Sequence, residues 1–156
     1  MTEQTASERQ FAIQRIYTKD ISFESPNAPQ VFLGEFKPEI SVNIQNQVTD
    51  LGNDNVEVVL TVTAEAKHQD TTAFMVEVKQ GGIFLAKGFS DEEKGPLFGI
   101  GAANALFPYA REAISDLVNR GSFPQFVLQP VNFEAVYAQQ RQAKAAAQAE
   151  ESGTAH

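Results

Sequence analysis

The residues of this chain that could carry out catalysis do not form a recognisable catalytic group. The chain has two histidines, His68 in a predicted turn and the terminal His156. Neither has a candidate nucleophile beside it, so the sequence predicts neither a Ser–His arrangement nor a histidine metal site. Gly99-Ile100-Gly101 lacks the preceding strand and the third glycine of a phosphate loop. Asp91-Glu92-Glu93 could supply carboxylates, but its glycine-flanked position favours a solvated tip. We therefore expect no enzyme activity, metal or cofactor.

The composition argues against several further classes of protein. The 156 residues include no cysteine, 20 acidic residues and 12 basic residues, for a net charge of −8. Without cysteine there is no disulfide framework, thiol nucleophile or thiolate metal site. The negative charge argues against nucleic-acid binding, and no run of about 18 apolar residues predicts membrane insertion. The polar first ten residues lack the apolar region of a secretory signal. We expect one soluble, intracellular domain.

The acidic residues are concentrated in one half of the chain. Residues 20–77 contain ten acids and two bases, and the remaining residues balance to zero. One interpretation is a solvated sheet face that keeps the protein in solution. The other is an acidic docking face for a basic partner, which would speed encounter and weaken with salt.

Alternation of apolar and polar residues predicts four strands, at about residues 11–24, 35–48, 56–66 and 71–85. Strands with one polar face are typical of antiparallel sheets, and turn-forming residues separate the last three strands. We predict a four-stranded antiparallel meander with a bulge at Gly81-Gly82.

Two helices are predicted after a long crossover. Residues 86–103 mix glycines and a proline with apolar residues without a clear period, which indicates the crossover. Residues 104–120 carry an apolar stripe of helical period, and Gly121 follows at a cap position. After a loop with two prolines, Asn132 is predicted to cap the last helix. The predicted fold class is therefore α+β.

The chain ends are predicted to lie outside the folded domain, which we place at residues 11–142. Residues 1–10 are expected to be flexible. Residues 143–156 are rich in alanine and glutamine and are expected to form a disordered tail.

Several sequence motifs, taken in order, resemble the SecB family of bacterial protein-export chaperones. They are IYTKDISFE at 16–24 with PNAP at 26–29, GGIF at 81–84, LFPYARE at 106–112, and RGSFPQ at 120–125 with PVNF at 130–133. The resemblance spans about residues 11–140, and several motifs in register make it highly specific.

The resemblance implies a function and an assembly. The chain would be an ATP-independent chaperone, or holdase, that binds unfolded precursor proteins in the cytoplasm. It would keep them competent for translocation and deliver them to the SecA motor of the Sec pathway. The implied assembly is a homotetramer, built as a dimer of dimers around the four-stranded sheet and two helices.

The resemblance also implies two binding surfaces. SecA would bind an acidic face of the sheet, at Asp20, Glu24, Met75 and Glu77. Unfolded clients would bind a groove between the sheet, the crossover and the last helix, although any one of its residues could be ordinary core. The groove residues are Ile40, Val42, Ile44, Phe84, Leu97, Phe98, Val131, Phe133, Val136 and Tyr137.

Two alternatives to this function are kept. One is a SecB-like chaperone that serves a toxin–antitoxin pair, which a neighbouring toxin gene would indicate. The other is a small-ligand enzyme that uses the crossover as a lid, which would require a dry pocket with convergent polar groups.

Overall fold

Four long strands form the predicted antiparallel sheet. In the computed structural model, which describes residues 8–153, the strands are β1 (Gln10–Glu24), β2 (Glu39–Gly52), β3 (Asn55–His68) and β4 (Thr71–Lys87). Their order across the sheet is β1-β4-β3-β2. The antiparallel sheet is confirmed, but the meander holds only for β2, β3 and β4. The first strand pairs with β4 instead, because residues 25–38 carry the chain from one edge of the sheet to the other.

Contacts between phenylalanine rings attach the connection formed by residues 25–38 to the core. It contains a single 3₁₀ turn, Gln30–Phe32, and its Phe32 and Phe36 contact the ring of Phe123 at 5.2 Å and 5.6 Å between centroids. Phe123 also contacts Phe74 of β4 at 5.0 Å. The connection is therefore held by aromatic packing and by side-chain hydrogen bonds from Ser25 and Asn27 to carbonyls of β4, and not by strand pairing.

The helices cover one face of the sheet, here called the inner face. Side chains alternate between the two faces along each strand. Those of the even-numbered residues at 56–66 of β3 and 74–86 of β4 are buried, and several, such as Leu60, Val62, Val76 and Val78, have no exposed area. The odd-numbered positions include Glu57, Glu65 and Glu77 and form the outer face.

The helical layer begins directly after β4. It comprises α1 (Asp91–Pro96), a π-helical turn (Leu97–Ala102) and α2 (Ala103–Arg120), which packs on β4 and β3. The expected crossover therefore contains helix. Ser90 and Glu93 form a capping box at the start of α1. The predicted stripe of α2 is confirmed, since Leu106, Ala110, Ile114 and Val118 are fully buried.

The end of α2 differs in detail from the expectation. Gly121 has a φ of −79°, and the positive φ of 65° belongs to Ser122. The amides of Ser122 and Phe123 bond to the carbonyls of Asn119 and Val118 at 3.1 Å and 3.3 Å, which is a Schellman arrangement. Glycine at 121 instead leaves room for Phe23, since a Cβ there would overlap that ring.

The last helix, α3, spans Phe133–Gly153. Its predicted cap is confirmed, because the amide of Ala135 bonds to Oδ1 of Asn132 at 3.1 Å. The helix includes residues 143–153, which the sequence analysis assigned to a disordered tail. Alanine, glutamine, lysine and glutamate favour helix even without an apolar face. Residues 1–7 of the expected flexible terminus and residues 154–156 lie outside the described residues. None of the helices in residues 8–153 has the length and apolar character needed to cross a membrane.

The predicted bulge at Gly81-Gly82 is wrong. Both glycines pair in register with Tyr17 and Ile16, and the irregularities of this pairing lie in β1, at Gln14 and Lys19. A Cβ at Gly82 would lie 2.8 Å from Cε2 of Phe84 and 3.0 Å from Cδ2 of Leu106. Close packing, not a bulge, explains the pair of glycines.

Candidate functional site

An apolar groove lies between β2 and the loop that joins α2 to α3. Its volume is about 840 Å³. Ile40, Val42 and Ile44 form one wall, because alternate residues of β2 point to the inner face. The loop forms the other wall with residues 125–131, which are Gln125, Phe126, Val127, Leu128, Gln129, Pro130 and Val131.

The groove exposes apolar side chains to solvent. Ile40 is 39% exposed, Val42 44% and Val127 50%. Ile40 and Val42 are exposed because β2 is an edge strand of the sheet, whereas α2 packs mainly on β4 and β3. The groove can therefore bury apolar groups of a partner without first moving core residues.

The structure brings only part of the predicted groove set together. Ile40, Val42, Ile44 and Val131 line the groove. Phe84 does not, because it is fully buried under the helices and stacks on Phe11 with centroids 5.4 Å apart.

Two further predicted groove residues belong to the core. Phe98 and Phe133 are only 6% and 3% exposed. Phe133 packs edge-on against Phe107 of α2 at 5.7 Å. The resemblance implies a place in the groove for both residues, but their side chains belong to the buried core cluster.

The last three predicted groove residues lie outside the groove, and one of them, Tyr137, packs α3 against the crossover. Leu97, Val136 and Tyr137 are half-buried and are absent from the groove lining. The Tyr137 ring lies where Cβ atoms on Gly95 and Gly99 would be. This contact fits α3 against α1 and the π-helical turn.

Sequence reasoning missed the apolar residues of the loop wall. Phe126, Val127 and Leu128 line the groove, and Leu128 also reaches the core, with 4% exposure. Three consecutive apolar residues between Pro124 and Pro130 were the available signal, since a simple connecting loop is usually polar.

The strand register brings the four predicted SecA-binding residues onto one surface. Glu24 of β1 lies directly opposite Met75 of β4, and Ser22 lies opposite Glu77. Asp20 is on the same face, because alternate residues of a strand share a face. Asp20 and Glu24 are exposed, and Met75 is 38% exposed. We call these four residues the acidic face; it lies on the outer face of the sheet.

The neighbouring strand β3 modifies this face. Thr63 donates a hydrogen bond from Oγ1 to Oε2 of Glu77 at 3.1 Å, which orients that carboxylate. Glu65 lies opposite Met75 on its other side. Lys79 of β4 lies opposite Asp20 and places a positive charge beside the acidic face.

A hydrogen-bonded group lies beside the acidic face, on the same outer face of the sheet. Lys19 contacts Glu57 at 2.9 Å, and the Tyr17 hydroxyl donates to the same carboxylate. The hydrogen bonds from Lys19 and then from Tyr17 lower the pKa of Glu57. Burial, and then the hydrogen bond to Glu57, raise the pKa of Tyr17 to about 12. Both effects favour the charged carboxylate beside a neutral phenol.

The remaining chemistry-bearing residues have structural partners. Nδ1 of His68 lies 3.2 Å from the amide and 3.1 Å from the carbonyl of Lys37. Glu93 accepts from the Ser90 amide at 3.1 Å and pairs with Arg9 at 2.6 Å. Between residues 8 and 153, no three His, Cys, Asp or Glu side chains are grouped so as to hold a metal ion.

Comparison with known proteins gives one consistent family. The family model described as preprotein translocase subunit SecB matches residues 4–144. A protein-export protein SecB from Methylococcus capsulatus is 50% identical over 140 residues, covering 90% of each chain. The protein of the same name from Alcanivorax borkumensis is 52% identical over 134 residues, covering 84% of this chain and 85% of its own.

A solved structure shares the fold. It is the Mycobacterium tuberculosis Rv1957 SecB-like chaperone, in complex with a ChAD peptide from the Rv1956 HigA1 antitoxin. The TM-score is 0.63 at 17% identity, with 78% of this chain and 91% of that chain covered. At this identity the likeness concerns the fold alone.

Proposed function

The chain belongs to the SecB family, and on this premise we propose that it is a holdase that binds unfolded precursor proteins in the cytoplasm. It keeps them competent for translocation and delivers them to SecA. The observation that carries the proposal is the groove of about 840 Å³ beside β2, whose apolar side chains face solvent. The relatives named protein-export protein SecB support the export pathway as its setting.

The groove selects for extended, unfolded chains. Burying one large apolar side chain stabilises a complex by roughly 1.5–3 kcal/mol, whereas ordering the client costs about 1 kcal/mol or more per residue. One short segment therefore binds weakly. A long chain that occupies several grooves gains affinity by about 10²–10⁴-fold, and a folded protein cannot present several such segments at once. Binding and release by this route need no nucleotide and no chemical step.

Several grooves require an oligomer, and we propose a homotetramer, built as a dimer of dimers. The unpaired edge of β1 supports further pairing, since Ile13 and Ile21 on this strand are 52% and 47% exposed. Exposed Tyr109 on α2 supports a contact through the helical layer. Light scattering is expected to give a mass near four subunits, and a monomer would contradict the assembly.

The holdase activity is tested by aggregation of a denatured precursor. Substoichiometric to equimolar protein is expected to suppress light scattering without ATP, and addition of ATP is expected to change nothing. Dependence on ATP, or failure to suppress scattering with the oligomer intact, would refute the proposal.

The acidic face is proposed as the SecA docking surface. Its three carboxylates and the exposed Met75 suit a basic partner segment with an apolar contact. Asp20 and Glu24 are exposed, and Thr63 orients Glu77. This arrangement supports docking through surface charge, so binding is expected to weaken as salt is added.

A further inference from the structure

The loop wall of the groove has little regular structure of its own. Residues 123–132 contain no helix or strand, although residues 125–131 form one complete side of the groove. The opposite side, β2, is fixed by its ladder of pairs with β3. The width of the groove therefore depends on how the loop is attached to the rest of the molecule.

One polar contact attaches this wall to the helical layer. Oγ of Ser115 in α2 donates a hydrogen bond to the main-chain carbonyl of Phe126 at 2.7 Å. Within the described residues 8–153, the segment 124–131 makes this single intramolecular hydrogen bond. The bond is part-buried, so water competes for it less than at an open surface.

The hydrogen bond from Ser115 reaches the loop at a residue that lines the groove. Its acceptor, Phe126, lines the groove, as do the next two residues. Val127 is 50% exposed and Leu128 only 4%, so the chain turns one side chain outward and the next into the core. A shift of the Phe126 carbonyl would therefore move apolar side chains on the groove surface.

We infer that Ser115 is a positioning residue of the client groove, whose hydroxyl fixes the loop wall at a set distance from β2. The inference rests on the proposed function of the groove. Ser115 does not line the groove and acts through Phe126. A single intramolecular hydrogen bond changes an equilibrium by about twofold to tenfold, which sets the expected size of the effect.

The test compares three variants in full-length protein. Ser115→Ala removes the donor, and Ser115→Thr keeps a hydroxyl at the same position. Ser152→Ala is the matched control, since Ser152 also donates to a carbonyl, that of Ala149 at 3.0 Å, but in α3. Affinity is measured with a fluorescently labelled unfolded precursor fragment, and amide hydrogen exchange is followed across residues 123–132.

The expected result is local. Ser115→Ala should weaken fragment binding about twofold to tenfold and speed exchange in residues 123–132, while Ser115→Thr and Ser152→Ala should match the parent protein. Unchanged affinity in Ser115→Ala would overturn the inference. Faster exchange throughout the sheet and α2 would also overturn it, because it would show a general loss of stability.

A further variant separates this inference from the proposed function. Val42→Asp places a charge in the groove itself. If Val42→Asp binds the fragment as tightly as the parent protein, the groove is not the client site and the proposed function fails. If Val42→Asp loses binding and Ser115→Ala does not, the groove assignment stands and only the role of Ser115 is refuted.

Discussion

The hydroxyl of Tyr17 in β1 donates a hydrogen bond to Glu57 in β3, across the full width of β4. Gly81 of β4 lies directly opposite Tyr17 in the register. A Cβ on Gly81 would lie 2.8 Å from Cζ of Tyr17, which is closer than nonbonded carbon atoms approach. Two strands that are not neighbours are thus joined because the strand between them has no side chain at the crossing.

The first prediction concerns Gly81→Ala. The added methyl group displaces the Tyr17 ring, so the free energy of unfolding should fall by about 1–3 kcal/mol, as for other overpacking substitutions. Urea denaturation measures the change. Gly101→Ala is the control, since a Cβ there meets its nearest atoms at 3.8 Å and 3.9 Å. A loss no larger at Gly81 than at Gly101 would show that Tyr17 does not require the glycine.

The second prediction concerns pH and the variant Tyr17→Phe. Below about pH 10, the folded and unfolded states both hold the phenol proton, and the contribution of Tyr17 to stability is complete. Above that pH the unfolded state releases the proton first, because its pKa of 10 is below the folded pKa of about 12. The difference in unfolding free energy between parent and variant should therefore shrink as the pH rises from about 10 to 12. A difference that stays constant over this range would contradict the assignment.

The dependence of the unfolding free energy on pH in the acidic range tests the role of Glu57. Its folded pKa is lowered, chiefly by the hydrogen bond from Lys19. Its contribution to stability is therefore present above the ordinary glutamate pKa of 4.5 and is lost as the pH falls through the lower folded pKa. Glu57→Gln should remove this part of the acid transition, as measured by unfolding at a series of pH values.

The third prediction concerns the acidic face. Reversal of Asp20, Glu24 and Glu77 to lysine should weaken SecA binding by more than about tenfold, since like charges would meet the basic partner. Isothermal calorimetry at two salt concentrations measures it, and client affinity should stay unchanged. A control variant carries the same change in charge at exposed acids elsewhere, with Glu35, Glu92 and Glu134 changed to lysine. Equal weakening in both variants would indicate an effect of net charge alone.

The fourth prediction separates groove from core. Val42→Asp should weaken client binding with little loss of stability, because Val42 is 44% exposed. Asn43→Asp is the matched control, as it creates the same side chain on the outer face of the same strand. Phe84→Ala should instead lower the unfolding free energy by about 3–5 kcal/mol, because Phe84 is fully buried. Client binding that follows stability in all three variants would refute the groove.

Local patterns in the sequence predicted the parts of the fold that depend on local physics. The alternation of residues predicted four antiparallel strands, and the stripe through Leu106 and Ile114 predicted the buried side of α2. Asn132 was predicted as a cap because its side chain acts within one turn. The order of the strands was not predictable in the same way, since nothing within residues 25–38 indicates the edge to which they lead.

The groove was predicted only in part, because the resemblance names the chain segments that border it and not the depth of each side chain. Ile44 and Phe84 both belong to the inner face, yet only Phe84 lies beneath the helices. The bulge at Gly81 and Gly82 was wrongly predicted for a related reason. A glycine signals a bulge and a close approach of side chains equally well, and only the register distinguishes them.

The sheet is a single layer with helices on one side. On the proposed assignments, a client lies against the inner face of β2 and the motor docks on the outer face of β1 and β4. The client and the motor then contact opposite faces of the same sheet and share no contact residue. A ternary complex is therefore sterically allowed, in which the motor arrives while the client is still held. Competition for a common surface cannot displace the client from such a complex, so the client leaves either by its own dissociation or because docking lowers the affinity of the groove through the strands between the two surfaces.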